Sequence, residues 1–309
     1  MAPAKNKVVI VGVNDLAADL VLALAERGRS VAQPPVVVGA GTGVRREHRV
    51  RLLDRGAVRE LAAMLARLEP TVVVQLAVSE SAVRPRRHGR YDSVIAETVA
   101  GALRLWHQRG GRLRDLIVLS STVVYGVARS SPLLFSESSD GQGAAELGVE
   151  TRYGRWAAEL RRAERTYRDL AADLRAGLTL LRAAPVVGGP IASPVTELLG
   201  ARLGVRVAGY DPPVQVTHYS DLIEALALAV DQRPRETLNI ASRGVVPLSR
   251  LGALAGRVLL PVPRVAAALM LPEGLTAAAL AGRCVADDRR AAQVLGFMPV
   301  FSAEEAVLG

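Results

Sequence analysis

The stretch Val8-Val9-Ile10-Val11-Gly12-Val13-Asn14-Asp15-Leu16-Ala17-Ala18 reads as a strand, a tight turn and the start of a helix. Val8–Val13 is an apolar, mostly β-branched run of strand length, and Asn14 and Asp15 end it. From Asp15 to Arg27, Leu16, Leu20, Leu22, Leu24 and Ala25 recur at helical spacings, and Gly28 stops the pattern. Outward from there the same alternation repeats. Val36–Val38 reads as a second strand, with Pro34 and Pro35 just before it, where proline is tolerated. The spacing predicts a helix over 57–68, a strand over 72–76 and a helix over 94–108. Leu116–Leu119 is a strand running into Ser120-Ser121-Thr122, followed by a helix over 153–174 and a strand over 178–182. Strands and helices alternating on this spacing imply a parallel sheet with right-handed crossovers and helices on both faces.

The fold class is therefore α/β: a Rossmann-like, doubly wound parallel sheet with a smaller C-terminal substrate lobe. Residues 1–182 form the expected nucleotide-binding domain and residues 183–309 the lobe. Beyond Arg182 the pattern breaks at Gly188-Gly189-Pro190, Pro194 and Pro212-Pro213. Strands near 214–217 and 237–240 are placed to return to the sheet or to the lobe. Ser136–Glu150 reads as a polar, glycine-containing loop, and the chain carries no internal repeat.

With 309 residues, 50% of them hydrophobic and 22% charged, the chain is long enough for a sizeable core. One cysteine, Cys284, excludes a disulfide scaffold and fits a reducing cytoplasm. The formal charge is +9, yet only Lys5 and Lys7 are lysine and every other basic residue is arginine. Such a bias beside abundant Ala, Gly, Val and Leu points to base composition as a source of basicity. Nucleic-acid binding needs a basic face interleaved with stacking aromatics. Aromatics are 4% of this chain and its arginines are scattered, so no nucleic-acid partner is expected. Val8–Val13 is too short for a signal-peptide core. The apolar stretch Val258–Gly282 is interrupted by Pro261, Pro263, Arg264, Pro272 and Glu273, against a membrane span. It reads instead as small helices under the lobe.

In a sheet of this kind the ligand sits at the carboxyl ends of the strands. Those turns are Gly12-Val13-Asn14-Asp15, Gln75-Leu76-Ala77-Val78 and Leu119-Ser120-Ser121-Thr122-Val123-Val124-Tyr125-Gly126, with Tyr153-Gly154-Arg155-Trp156-Ala157 downstream. In order and spacing they resemble the extended short-chain dehydrogenases/reductases of the NAD-dependent epimerase/dehydratase kind. The resemblance continues through Leu181-Arg182, Gly188-Gly189-Pro190, Val214–Asp221 and Leu238-Asn239-Ile240 to Leu295-Gly296-Phe297-Met298-Pro299, nearly the whole chain. It implies NAD or NADP as cofactor and a homodimer formed through the helices over 94–108 and 153–174. It assigns Tyr153 and Ser121 to catalysis. Gly12, Asn14, Leu52, Leu76, Ala77 and Val186 fall to the cofactor.

By that resemblance, the departures read as those of a degenerate member. In the family a lysine four residues after the tyrosine lowers the phenol's pKa, near 10 when unperturbed, and holds the nicotinamide ribose. Here that position is Ala157, and no lysine lies beyond Lys7. Arg155 points roughly 200° away around the helix, and Arg161 is about 12 Å along its axis. Of the three family glycines, at 12, 15 and 18, only Gly12 remains. A carboxylate at Asp15 would repel each phosphate charge by about 3 kcal/mol at roughly 5 Å in an effective dielectric of about 20. With Asn14 it reads as a helix cap occupying the phosphate's place. No acid lies between Glu26 and Glu47 to hold a ribose hydroxyl. Arg45 and Arg46 read as surface arginines before a 2′-phosphate site, and Gly39-Ala40-Gly41-Thr42-Gly43 as a turn. Arg51-Leu52 replaces the family's Asp-Leu, and Thr98 replaces its asparagine. Arg84, Arg86, Arg87 and Arg90 are a solvated loop or an attraction for an anionic small-molecule ligand. The four histidines lack ligand spacing, so no metal is expected. Two functions follow. One is a non-catalytic ligand-binding, scaffold or regulatory protein. The other is an atypical NAD(P)-dependent epimerase, dehydratase or ketoreductase, with Tyr153 and Ser121 polarising a carbonyl and the substrate or Tyr125 replacing the lysine.

Overall fold

The structure, a computed structural model, describes residues 7–12, 15–28, 52–76, 91–126, 134–139, 152–191, 193–200, 203–270 and 284–308. The expected strand over 36–38, the 39–43 turn, Arg45, Arg46, Arg51, Arg84–Arg90 and residues 140–150 lie outside these, as do Asn14 and Ala77.

In chain order the first elements are β1 (Val8–Val11), α1 (Asp15–Glu26), α2 (Ala57–Leu68), β2 (Val72–Gln75) and α3 (Tyr91–Gln108). Next come β3 (Asp115–Ser121), a 3-10 turn (Thr122–Tyr125), α4 (Arg152–Leu174) and β4 (Gly177–Ala183). The later half holds β5 (Val186–Val187), α5 (Pro194–Gly200), β6 (Leu203–Val207), β7 (Pro213–Val214), β8 (Thr217–His218) and α6 (Tyr219–Gln232). It continues with β9 (Thr237–Ile240), β10 (Val246–Pro247), α7 (Leu248–Leu254), β11 (Val258–Val262) and α8 (Arg264–Met270), then helices over Arg289–Leu295 and Ala303–Leu308.

Among the described residues the main sheet has five parallel strands in the order β1-β2-β3-β4-β9. Both faces are covered, as the unbroken apolar runs of β1 and β2 require. On one face α2, α3 and α4 bury Leu61, Leu65, Val99, Leu103, Leu170 and their neighbours. On the other, α1 and α6 bury Leu16, Leu20, Leu24, Leu222 and Leu226. Each such leucine removed from water contributes roughly 1.5–3 kcal/mol.

The strand expected over 237–240 pairs with β4 in the main sheet. Residues near 214–217 instead form two short strands, β7 and β8, outside it. Val258–Val262 is a correction: not a small helix but a strand, paired in parallel with β6, and a helix begins only at Arg264. Its β-branched valines favour extension, and its five residues are exposed or half-buried. Among the described residues no helix is long and apolar enough to cross a membrane.

Candidate functional site

Gly12, Leu76 and Ser121 lie at the carboxyl ends of β1, β2 and β3. Gly12 is buried just after β1, and α1 starts at Asp15, whose exposed carboxylate lies in the first helical turn. There it meets the positive end of the helix dipole. The Leu76 side chain is fully buried in the core, and its amide donates to the Val11 carbonyl at 2.7 Å. Leu52 is likewise buried, and its carbonyl accepts from the Thr98 hydroxyl at 3.0 Å. Val186 sits in β5, bordering the same core as β1 and β2.

Ser121 ends β3 and caps the 3-10 turn, its hydroxyl oxygen accepting from the Val123 amide at 3.3 Å. Gly126, at φ 75, closes that turn in a backbone region that favours glycine. Tyr153, in the first turn of α4, packs into a cluster with Val123, Val124, Leu160 and Ala286. Trp156 meets its ring edge-on at 6.1 Å, and the Trp156 indole N–H is buried without a hydrogen-bond partner. Ala157, at the family's lysine position, is 1% exposed within the same apolar cluster. Burial pushes the Tyr153 phenol well above its usual range, and nearby Cys284 adds to the effect. The Cys284 thiol is itself pushed up by burial to about 12, so it stays neutral. Arg161, one turn beyond Ala157, is spent on the Val124 carbonyl, to which it donates at 2.8 Å. What the arrangement offers is a neutral phenol in an apolar setting, a hydrogen-bond donor rather than a poised base.

Tyr125 is not available to replace the lysine. It is fully buried, donates to Asn239 Oδ1 at 2.6 Å and accepts from the Arg182 guanidinium at 3.1 Å. Desolvation pushes its pKa up to about 12 against the pull of Arg182. Phe135 stacks on its ring at 5.1 Å. Sequence reasoning missed the network around it. Arg182, 1% exposed, forms a two-pronged ion pair with Glu164 at 3.0 and 2.6 Å, and the Ser120 hydroxyl donates to Glu164 at 2.7 Å. The signal was present: an arginine inside the apolar strand Gly177–Ala183 must find a carboxylate, because an unpaired buried charge is prohibitively costly. Among the described residues no group of three or more His, Cys, Asp or Glu could hold a metal.

No protein-family model matches the sequence. An uncharacterised protein of Mycobacterium bovis is 27% identical over 206 residues, covering 66% of this chain and 52% of that protein. Uncharacterised proteins of two Mycobacterium tuberculosis strains match to the same extent, so the chain spans about half the length of the curated relatives it matches. Among solved structures, UDP-glucose 4-epimerase from Brucella ovis in complex with NAD is similar with a TM-score of 0.69 at 21% identity, covering 98% of this chain and 96% of that one. MoeE5 in complex with UDP-glucuronic acid and NAD has a TM-score of 0.65 at 22% identity, covering 97% and 96%. At these identities the likeness establishes architecture: the chain has the fold of the extended short-chain dehydrogenases/reductases.

Proposed function

We propose that the chain is a ligand-binding, scaffold or regulatory protein, a pseudoenzyme built on an epimerase-type fold without the proton relay such enzymes use. The observation that carries this is the burial of Ala157 in an apolar cluster beside Tyr153, with Arg161 committed elsewhere. Among the described residues no cation lowers the phenol's pKa. Asp15 adds a carboxylate at the helix end where a pyrophosphate would rest. These residues do not fit a dinucleotide seated in the standard way. The expected ligand is a small molecule, anionic if Arg84–Arg90 draw it in. We infer a homodimer through α3 and α4, and a cytoplasmic setting from the single thiol.

One observation favours a second reading, an atypical NAD(P)-dependent epimerase, dehydratase or ketoreductase. The neighbours that carry NAD match over almost the whole chain, and Ser121 and Tyr153 keep their places at the end of β3 and the start of α4. There the Tyr153 hydroxyl would donate to a substrate carbonyl. Denaturing the purified protein and chromatographing the supernatant separates the two. The pseudoenzyme releases no nicotinamide nucleotide, whereas release near one per chain would overturn that reading in favour of the second.

A further inference from the structure

At the opposite edge of the sheet, the amino ends of β4 and β9 open onto a cleft of about 390 Å³. Its floor is apolar, made by Ala176, Leu178 and Leu180, and three arginines, Arg168, Arg175 and Arg235, stand around it. Arg235 is anchored from behind. Its Nε donates to Asp115 Oδ1 at 3.0 Å, and Asp115, 2% exposed, also faces Arg233 at 3.8 Å. With Nε used in this way, the terminal nitrogens of the Arg235 fork remain for another acceptor. Gly177 makes the approach possible, since a Cβ there would lie 2.4 Å from both Arg235 Nε and Asp115 Oδ1.

Arg175 closes the C-terminal end of α4 at φ 51, and its exposed side chain has no ion-pair partner among the described residues. Arg168 is held by Glu164 at 3.5 Å and by the Thr237 hydroxyl at 3.4 Å. The acid in the lining, Glu236, is taken up by a two-pronged pair with Arg290 at 2.8 Å on each arm. The field inside the cleft is thus positive, over a greasy floor.

We propose that this cleft binds a small phosphomonoester with a short apolar or aromatic body. The Arg175 and Arg235 forks, from two different elements, would take the phosphate, and the Leu178–Leu180 floor would take the body. The cleft is independent of the turns at the carboxyl edge, so its test does not depend on nucleotide binding. Phenyl phosphate is titrated calorimetrically into the full chain, with phenol, benzoate and inorganic phosphate as comparison arms. We expect phenyl phosphate to bind more tightly than all three, and Arg175→Ser to weaken it about tenfold, the loss of one charge-assisted contact. Arg235→Gln should weaken it further, but it also loosens Asp115, so the surface variant Arg175→Ser decides. Phenyl phosphate binding that is absent, unchanged in Arg175→Ser, or no tighter than phenol overturns the proposal.

Discussion

A lysine introduced at Ala157 would bring an ammonium into the cluster of Val123, Tyr153, Leu160 and Ala286. Alanine and lysine differ little in helix propensity, so the cost is burial of charge. Ala157→Lys is expected to lower stability by about 2 kcal/mol or more in urea denaturation. Unchanged stability would mean open, wet space beside Tyr153, as an active reductase needs. Tyr125 answers to a different rule. Its hydroxyl satisfies Asn239 and Arg182 at once, so Tyr125→Phe leaves both with an unmet partner in the interior. The expected loss is about 1–3 kcal/mol by the same measurement, and a loss near zero would place water in the network. At this scale the sequence was only half legible. The missing lysine was visible by position, while the Arg182–Glu164 pair depended on contacts between β4 and α4 that no spacing rule reports.

The start of α6 gives the element scale its own test. His218 caps this helix: its Nδ1 lies 2.8 Å from the Ser220 hydroxyl and accepts from the Ser220 amide at 3.3 Å. The ring stacks on Phe301 at 3.7 Å, and its Nε2 is buried without a partner. Burial holds the imidazole below its ordinary value of 6.5, outweighing the opposing pull of Asp221. The folded state therefore prefers neutral His218, while the unfolded chain takes up a proton near 6.5. Stability is full above that pH and falls as the pH drops below it. Thermal midpoints from pH 8 to pH 5 are expected to show this decline, and His218→Asn, which keeps a capping side chain, to flatten it. An identical slope in the variant would assign the effect to other groups.

Elements were legible where periodicity was strong. Helix 57–68 and strand 237–240 coincide with expectation residue for residue. Val258–Val262 was misread because a short apolar run broken by prolines fits either a helix or a strand, and its pairing with β6 is set by tertiary contact.

For the whole molecule, the parallel sheet and its two helical layers followed from alternation alone, and solved structures of the same fold match over nearly the full chain. What composition could not tell was where the arginines go. Many prove to be paired, as at Arg27, Arg182, Arg250 and Arg290, so a positive net charge does not translate into a uniformly basic surface. The outer side of α4 exposes Arg155, Arg162, Arg165, Asp169 and Asp173, a charged rather than greasy face. A dimer through α3 and α4 would therefore associate by ion pairs as well as packing. Light scattering at micromolar concentration should give twice the 32.7 kDa of one chain, falling toward the monomer as salt screens those pairs. A monomer at low salt would contradict the dimer.

The central claim is that the nucleotide seat has lost its function while the fold around it persists. Calorimetric titration of NAD⁺, NADH, NADP⁺ and NADPH into the purified protein tests it most directly. The account predicts no binding up to millimolar nucleotide, because Asp15 repels the pyrophosphate and nothing at Ala157 holds the ribose. Micromolar binding of any one of the four would contradict it and make Tyr153→Phe the first variant to assay for lost carbonyl reduction.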